Sequence, residues 1–242
     1  MLRRGGGERP GAVGAEPRLT AVVLAVGVLV LSSGCGSGSG DQPPRAAPAP
    51  AAAPSAPGSA VVVLGDSFTV GVGSSTGRGY LDHLAEDMAW SVTAAAESGT
   101  GYVSPSVVPG YQPYGGRVAE LASLRPSLVV VQGSTNDVGR SAADVGRAAD
   151  ALYADLRTQL PGTPVVVVGP LDAPAVDPAG VRAVRDALAE AAEEAGLPFI
   201  DPIEGGWLQP PDGLYADGLH PDDQGYAEFA DELAAALQDQ GR

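Results

Sequence analysis

Ala60-Val-Val-Val-Leu64, followed at once by Gly65-Asp66-Ser67, opens the part of this chain that reads as folded. Five apolar residues in unbroken succession, with no polar alternation, are what a strand buried on both faces requires. Ser127-Leu-Val-Val-Val131 and Pro164-Val-Val-Val-Val168 repeat the pattern, and Trp90-Ser-Val-Thr-Ala94 and Pro198-Phe-Ile-Asp201 are weaker strands of the same kind. Between these runs the period changes to that of a helix. Val145, Ala149, Leu152, Leu156 and Leu160 fall on one face, as do Val181, Val184, Leu188, Ala191 and Ala195, and Tyr226, Phe229, Leu233 and Leu237 mark a last helix. Shorter helices are expected over 79–88 and 116–124. Strand-helix alternation with continuous apolar strands predicts an α/β fold of three layers, α/β/α, around a parallel sheet of about five strands. It spans residues 60–240 as one domain, with no internal repeat. In such sheets functional groups gather in the loops after the carboxyl ends of the strands.

Composition narrows the function. The net charge is −15, from 29 acidic residues against 14 basic ones, which argues against nucleic acid as a partner. All 14 basic residues are arginine, and without lysine neither a P-loop nucleotide site nor a Schiff base to pyridoxal phosphate can form. Two histidines far apart in sequence and a single cysteine make a poor metal-ligand set, so no metal and no other cofactor is expected.

The N-terminal segment has a different character. Residues 19–31, LTAVVLAVGVLVL, are too short an apolar run to span a bilayer, which takes about 20 residues, and they read as the core of a signal peptide. Leu31-Ser-Ser-Gly-Cys35 resembles a bacterial lipobox, with Ser32 standing where an aliphatic residue is usual. The expectation is that 1–35 is a signal peptide and that Cys35 carries lipid, holding an exported domain at the membrane; a plain cleaved signal is the alternative. Residues 36–59, rich in Gly, Ser, Pro and Ala, read as a disordered tether.

Four loops of the folded part carry candidate chemistry. Gly65-Asp-Ser67 displays a serine at a strand-to-loop turn, either as a nucleophile or as a helix cap. Glu97-Ser-Gly99-Thr-Gly101 lets main-chain N–H groups approach a ligand, or is a plain turn. Gln132-Gly-Ser-Thr-Asn-Asp-Val138 holds Asn136, the only asparagine among 242 residues, as an amide donor or an Asx turn. Tyr215-Ala-Asp217-Gly-Leu-His220-Pro221 places a carboxylate three residues before an imidazole. Pro221 suits the first position of a helix, which would fix His220, and Asp222 and Asp223 complement its positive end. His83, the other histidine, reads as a boundary residue on a helix. Gly73-Ser-Ser75-Thr-Gly77 fits the G-x-S-x-G nucleophile elbow, but that elbow follows a strand directly and this one does not.

Taken together and in this order, the four blocks resemble the SGNH hydrolase (GDSL esterase/lipase) family: Gly65-Asp66-Ser67, Gly99, Gly133-Ser-Thr-Asn136-Asp137 and Asp217-Gly-Leu-His220-Pro221. Phe68 stands where the family name implies Leu, and the asparagine frequent before the second block is absent, so Gly101 competes with Gly99. The resemblance covers nearly all of 61–240 and implies the family's flavodoxin-like fold. It implies Ser67 as nucleophile, His220 as base and Asp217 as its orienting acid. The oxyanion hole would come from the N–H groups of Ser67 and Gly99 and the amide of Asn136. Carboxylic esters with short acyl or acetyl groups, on a small molecule or a carbohydrate, are the expected substrates, acted on by a monomer. An O-acetyltransferase of envelope polysaccharide and a non-catalytic binding lipoprotein of the same fold are the alternatives. Tyr111, Tyr114 and the 172–178 loop are expected to line the site.

Overall fold

A computed structural model describes residues 58–209 and 213–240. The segment expected to be a signal peptide, with Cys35, and the expected tether up to residue 57 lie outside the described residues. Five strands form one sheet: β1 (Ala60–Gly65), β2 (Ser91–Ala96), β3 (Leu128–Gln132), β4 (Val165–Val168) and β5 (Phe199–Ile200). Every pairing is parallel and the order is β2-β1-β3-β4-β5. The helices are α1 (Ser67–Val70), α2 (Tyr80–Asp87), α3 (Val118–Leu124), α4 (Ala142–Gln159), α5 (Pro178–Ala195) and α6 (Asp223–Gln240).

The unbroken apolar strands follow from this layering. Register pairs Val62 with Val129 and Val131 with Val167, and these face α3, α4 and α5. The alternate set, Val61, Val63, Leu128, Val130, Val166 and Val168, faces α2 and α6. Both faces of each central strand are therefore core, and full burial of one such valine contributes roughly 1.5 kcal/mol or more. The helix ends follow local chemistry. Ser141 caps α4 through Asp144 N, while α5 starts with Asp177 as cap and Pro178 behind it and stops at left-handed Gly196.

Three expectations need correction. The second strand runs two residues further than its β-branched core, to Ala96, because edge pairing with β1 continues to Gly65. Pro221 does not open the last helix. It pairs with Tyr215 in an antiparallel bridge, and α6 starts at Asp223, with Asp222 Oδ1 accepting from Gly225 N at 2.8 Å. Tyr114 is fully buried against Tyr102 and Arg117 and lines no surface.

The strand order decides where a site can form. The chain runs from β1 out to the β2 edge and returns past β1 to β3, so the crossovers diverge at the carboxyl ends of β1 and β3. Doubly wound sheets open a crevice at that point. The loops carrying Ser67 and Asn136 border it.

Candidate active site

Ser67 is the first residue of α1, and Asp66 before it caps the helix, its Oδ1 accepting from Phe68 N at 2.9 Å. Because Asp66 caps, the Ser67 hydroxyl is left over. It lies 2.9 Å from His220 Nε2, across 153 residues of sequence. On the other side of the ring, His220 Nδ1 meets Asp217 Oδ2 at 2.8 Å. Asp217 Oδ1 is already filled by the N–H groups of Leu219 at 2.9 Å and His220 at 2.7 Å. Only Oδ2 is left for Nδ1–H, so Nε2 is the unprotonated nitrogen and accepts from the Ser67 hydroxyl. The imidazole bond and these N–H groups hold the Asp217 carboxyl down to about 2. Phe68 packs its ring 5.6 Å from that of His220.

Three contacts steady the turn carrying this pair. Ala175 N donates to Gly218 O at 2.8 Å and Tyr215 Oη to Asp172 O at 3.2 Å, so the 172–178 loop buttresses the turn as a wall. Asp223 accepts from the Ser74 and Thr76 hydroxyls at 2.6 and 2.9 Å and from Ser75 N at 3.1 Å. The G-x-S-x-G segment is thereby a strap over the start of α6 and not an elbow.

The amide side is built from the second and third loops. Asn136 ends up with Nδ2 donating to Thr100 O at 2.9 Å and, more loosely, to Asp66 Oδ2 at 3.3 Å. Gly99 has φ +77°, a conformation that favours glycine, and its N–H meets no acceptor among the described residues; nor does that of Ser67. Gly101 N is spent on Ser104 O at 2.8 Å, so of the two glycines it is Gly99 whose N–H stays uncommitted among the described residues. Gly133 is needed for close packing, since a Cβ there would sit 2.7 Å from Val168 O.

Beneath these groups lies a buried polar layer. Asp137, fully buried, accepts from the N–H groups of Tyr102 at 2.7 Å, Val103 at 3.1 Å and Ser104 at 2.9 Å, tying the glycine loop to the asparagine loop. Ser134 Oγ donates to Thr100 O at 3.0 Å and accepts from Asn136 N at 3.0 Å. Asp66 is also fully buried, and desolvation pushes its carboxyl up to about 7 despite the N–H of Phe68 and the Ser134 hydroxyl. A folded-state pKa above the unfolded one means the fold is favoured at acid pH and loses that advantage as pH rises toward 7. Measured by urea unfolding, Asp66→Asn should therefore gain on the wild type between pH 4 and 8, by about 4 kcal/mol at most for a shift of this size. Stability difference curves that stay parallel over that range would contradict the buried, neutralisable carboxyl.

A separate open groove of about 590 Å³ runs between α4 and α5, lined by residues such as Gly146, Arg147 and Ala187, and touches none of the groups above. Chemically, the arrangement at the carboxyl ends of β1, β2 and β3 is a hydroxyl aligned on an imidazole and a carboxylate, beside unpaired N–H donors. The fold is that of SGNH-type hydrolases. Residues 63–228 match the model of the GDSL-like lipase/acylhydrolase family. A GDSL lipase of Mycobacterium tuberculosis is 32% identical over 193 residues, covering 73% of this chain and 80% of that protein. Among solved structures, the aryl esterase of M. smegmatis aligns with TM-score 0.61 at 20% identity, covering 75% of this chain and 99% of its own. The lipase/acylhydrolase of Enterococcus faecalis aligns with TM-score 0.60 at 19% identity, covering 75% and 96%. The chain thus belongs to the GDSL-like lipase/acylhydrolase family, and it is an ester-hydrolysing enzyme.

Proposed function

We propose that the protein is a serine esterase acting on carboxylic esters with short acyl groups. The observation that carries this reading is the continuous line Ser67 Oγ, His220 Nε2, His220 Nδ1, Asp217 Oδ2, with steps of 2.9 and 2.8 Å at its two hydrogen bonds. In the reaction Ser67 Oγ bonds to the ester carbonyl carbon while its proton passes to His220 Nε2. The carbonyl electrons collapse back, the C–O bond to the alcohol breaks, and Nε2–H protonates the departing oxygen. Water then attacks the acyl-enzyme with the same base, releasing the carboxylic acid and restoring Ser67. Asp217, ionised far below neutrality, orients the ring and stabilises the imidazolium.

The tetrahedral oxygen carries negative charge and needs donors. The free N–H groups of Ser67 and Gly99 suit this role, and so does the Asn136 hydrogen that Asp66 holds only at 3.3 Å. The small acyl group is argued from the small residues that border the catalytic turn. Ala175 and Gly218 pack backbone to backbone, and Tyr114 turns inward to the core.

Hydrolysis of nitrophenyl acetate, butyrate and longer esters by the purified enzyme tests the reading, with fastest turnover expected for the shortest chains. Asn136→Ala should lower kcat on the best of them by about 10²–10³, the usual effect of removing one oxyanion donor. An unaltered kcat would remove Asn136 from the site, and no turnover of any ester by the wild type would defeat the esterase reading altogether.

A further inference from the structure

We propose that Arg117 is a positioning residue of the oxyanion site, setting the separation of the two N–H donors supplied by Ser67 and Gly99. The inference rests on the esterase reading above. Arg117 ends the 3₁₀ turn Tyr114–Arg117 and is only 5% exposed, so its guanidinium lies under the site and out of reach of substrate. Nη1 donates to Ala95 O at 2.7 Å and Gly65 O at 3.1 Å, and Nη2 to Gly65 O at 3.1 Å and Thr100 Oγ1 at 3.1 Å. Thr100 Oγ1 in turn donates to Glu97 O at 2.6 Å.

Those acceptors are not an arbitrary set. Gly65 is two residues before Ser67, and Thr100 is the residue after Gly99. The ladder between β1 and β2 ends at the pair Gly65 and Ala96, and the next main-chain bond, Glu97 N to Gly65 O, is stretched to 3.4 Å. Beyond that point the loops bearing Ser67 and Gly99 diverge, and the guanidinium takes over as the cross-link between them. A planar fork with four Nη hydrogens satisfies the three acceptors at fixed angles; an ammonium on a flexible stem cannot. Its ring-facing neighbour Tyr114, with the ring centre 5.0 Å from Cζ, holds the plane from one side. Nε is buried without a hydrogen-bond partner among the described residues, with Glu97 Oε2 at 3.9 Å. A buried donor left unpaired costs stability. The arrangement is therefore better explained by what the Nη pair holds in place than by a contribution to folding.

A residue that merely staples the sheet would lower the melting temperature and leave the kcat of folded enzyme intact. A positioning residue acts on the transition state. The test is full-length Arg117→Lys and Thr100→Val, each measured for kcat and KM on a short-chain nitrophenyl ester, for inhibition by a phenylboronic acid that forms a tetrahedral adduct on serine, and for melting temperature. Misplacing a donor by the order of 1 Å costs about 10²-fold, so Arg117→Lys should lose about that factor in kcat with KM unchanged within about threefold. The boronate inhibition constant should rise by the same factor as kcat/KM falls. Thr100→Val, which removes one acceptor and keeps the backbone, should show the same pattern at about 10-fold, as expected when one of several supports is lost. Wild-type turnover that Ser67→Ala abolishes secures the esterase reading, so a full kcat in folded Arg117→Lys overturns the positioning role alone. A loss confined to KM or to melting temperature overturns it as well. Should Arg117→Lys fail to fold, an unchanged kcat and boronate constant in Thr100→Val overturn it.

Discussion

Ser67→Ala is expected to lower ester turnover by about 10⁶-fold, the loss seen when a serine hydrolase is deprived of its nucleophile. It should also abolish covalent labelling by a fluorophosphonate. The prediction is sharp because, among the described residues, Ser67 Oγ is the hydroxyl that meets His220 Nε2, and most of its neighbours are engaged elsewhere. Thr69 Oγ1 is shared between Tyr80 Oη at 2.8 Å and Gln132 Oε1 at 3.3 Å, and Ser134 Oγ is committed to Thr100 O. The Ser74 and Ser75 hydroxyls are bound to Asp223, and Ser106 Oγ accepts from Val108 N at 3.2 Å. The substitution should also be nearly silent in stability. Asp66, and not Ser67, caps α1, so a change in unfolding free energy within about 0.5 kcal/mol is expected for a site with no cap to lose. Loss of activity with an unchanged fold is thus the anticipated pair of results from kinetics and urea unfolding on one preparation. Labelling that persists in the variant would assign the chemistry to another residue.

Much of this was legible in the sequence, and the reasons it was or was not are physical. The runs at Ala60, Ser127 and Pro164 declare buried parallel strands because apolar side chains must point both ways when helices cover both faces. Ser67, Asn136, Asp217 and His220 stand out because they are polar residues placed directly after such runs or beside the only candidate imidazole. The partners through which the site is held together were not legible. Asp137 serves Tyr102, Val103 and Ser104 from more than 30 positions away, and Arg117 reaches back 52 positions to Gly65. A buried carboxylate or guanidinium has no periodicity of its own; its partners are chosen by the sheet order, which local pattern does not encode. The same holds for Pro221. Proline fits the start of a helix by its fixed φ, but it equally fits a bridge residue with no N–H to offer, and the pairing with Tyr215 decided between them. Tyr114 shows the converse: an aromatic in a polar loop reads as a wall, and the fold makes it core against Arg117.

The second large effect concerns Asp217, and here the geometry predicts an inversion of the usual order of severity. Asn is the closer mimic of Asp in shape, yet Asp217→Asn should be the more damaging change, lowering kcat by about 10⁴, and Asp217→Ala less so. The cause lies in the two backbone donors. The N–H groups of Leu219 and His220 both point at the Oδ1 position, at 2.9 and 2.7 Å, and an asparagine must place its oxygen there, since an NH₂ would face two donors. Its NH₂ group then occupies the Oδ2 position, 2.8 Å from His220 Nδ1, and donates to that nitrogen. Nδ1 becomes the acceptor, the ring proton moves to Nε2, and Nε2–H now donates toward Ser67 Oγ. The base is locked in the wrong tautomer. Alanine imposes no tautomer. The carboxylate side chain it replaces is 53% exposed, so water can fill the space and accept from Nδ1–H. The pH dependence separates the cases further. Because the Asp217 carboxyl stays ionised down to about 2, loss of activity on acidification in the wild type does not come from protonation of Asp217. Added imidazole or formate should restore part of the activity of Asp217→Ala and none of that of Asp217→Asn, since only the former has an empty position to fill. Stopped assays on both variants across pH 5–9, with and without formate, decide the matter. Equal activities, or an asparagine variant more active than the alanine one, would show that Asp217 orients His220 by some route other than the acceptor arrangement seen here.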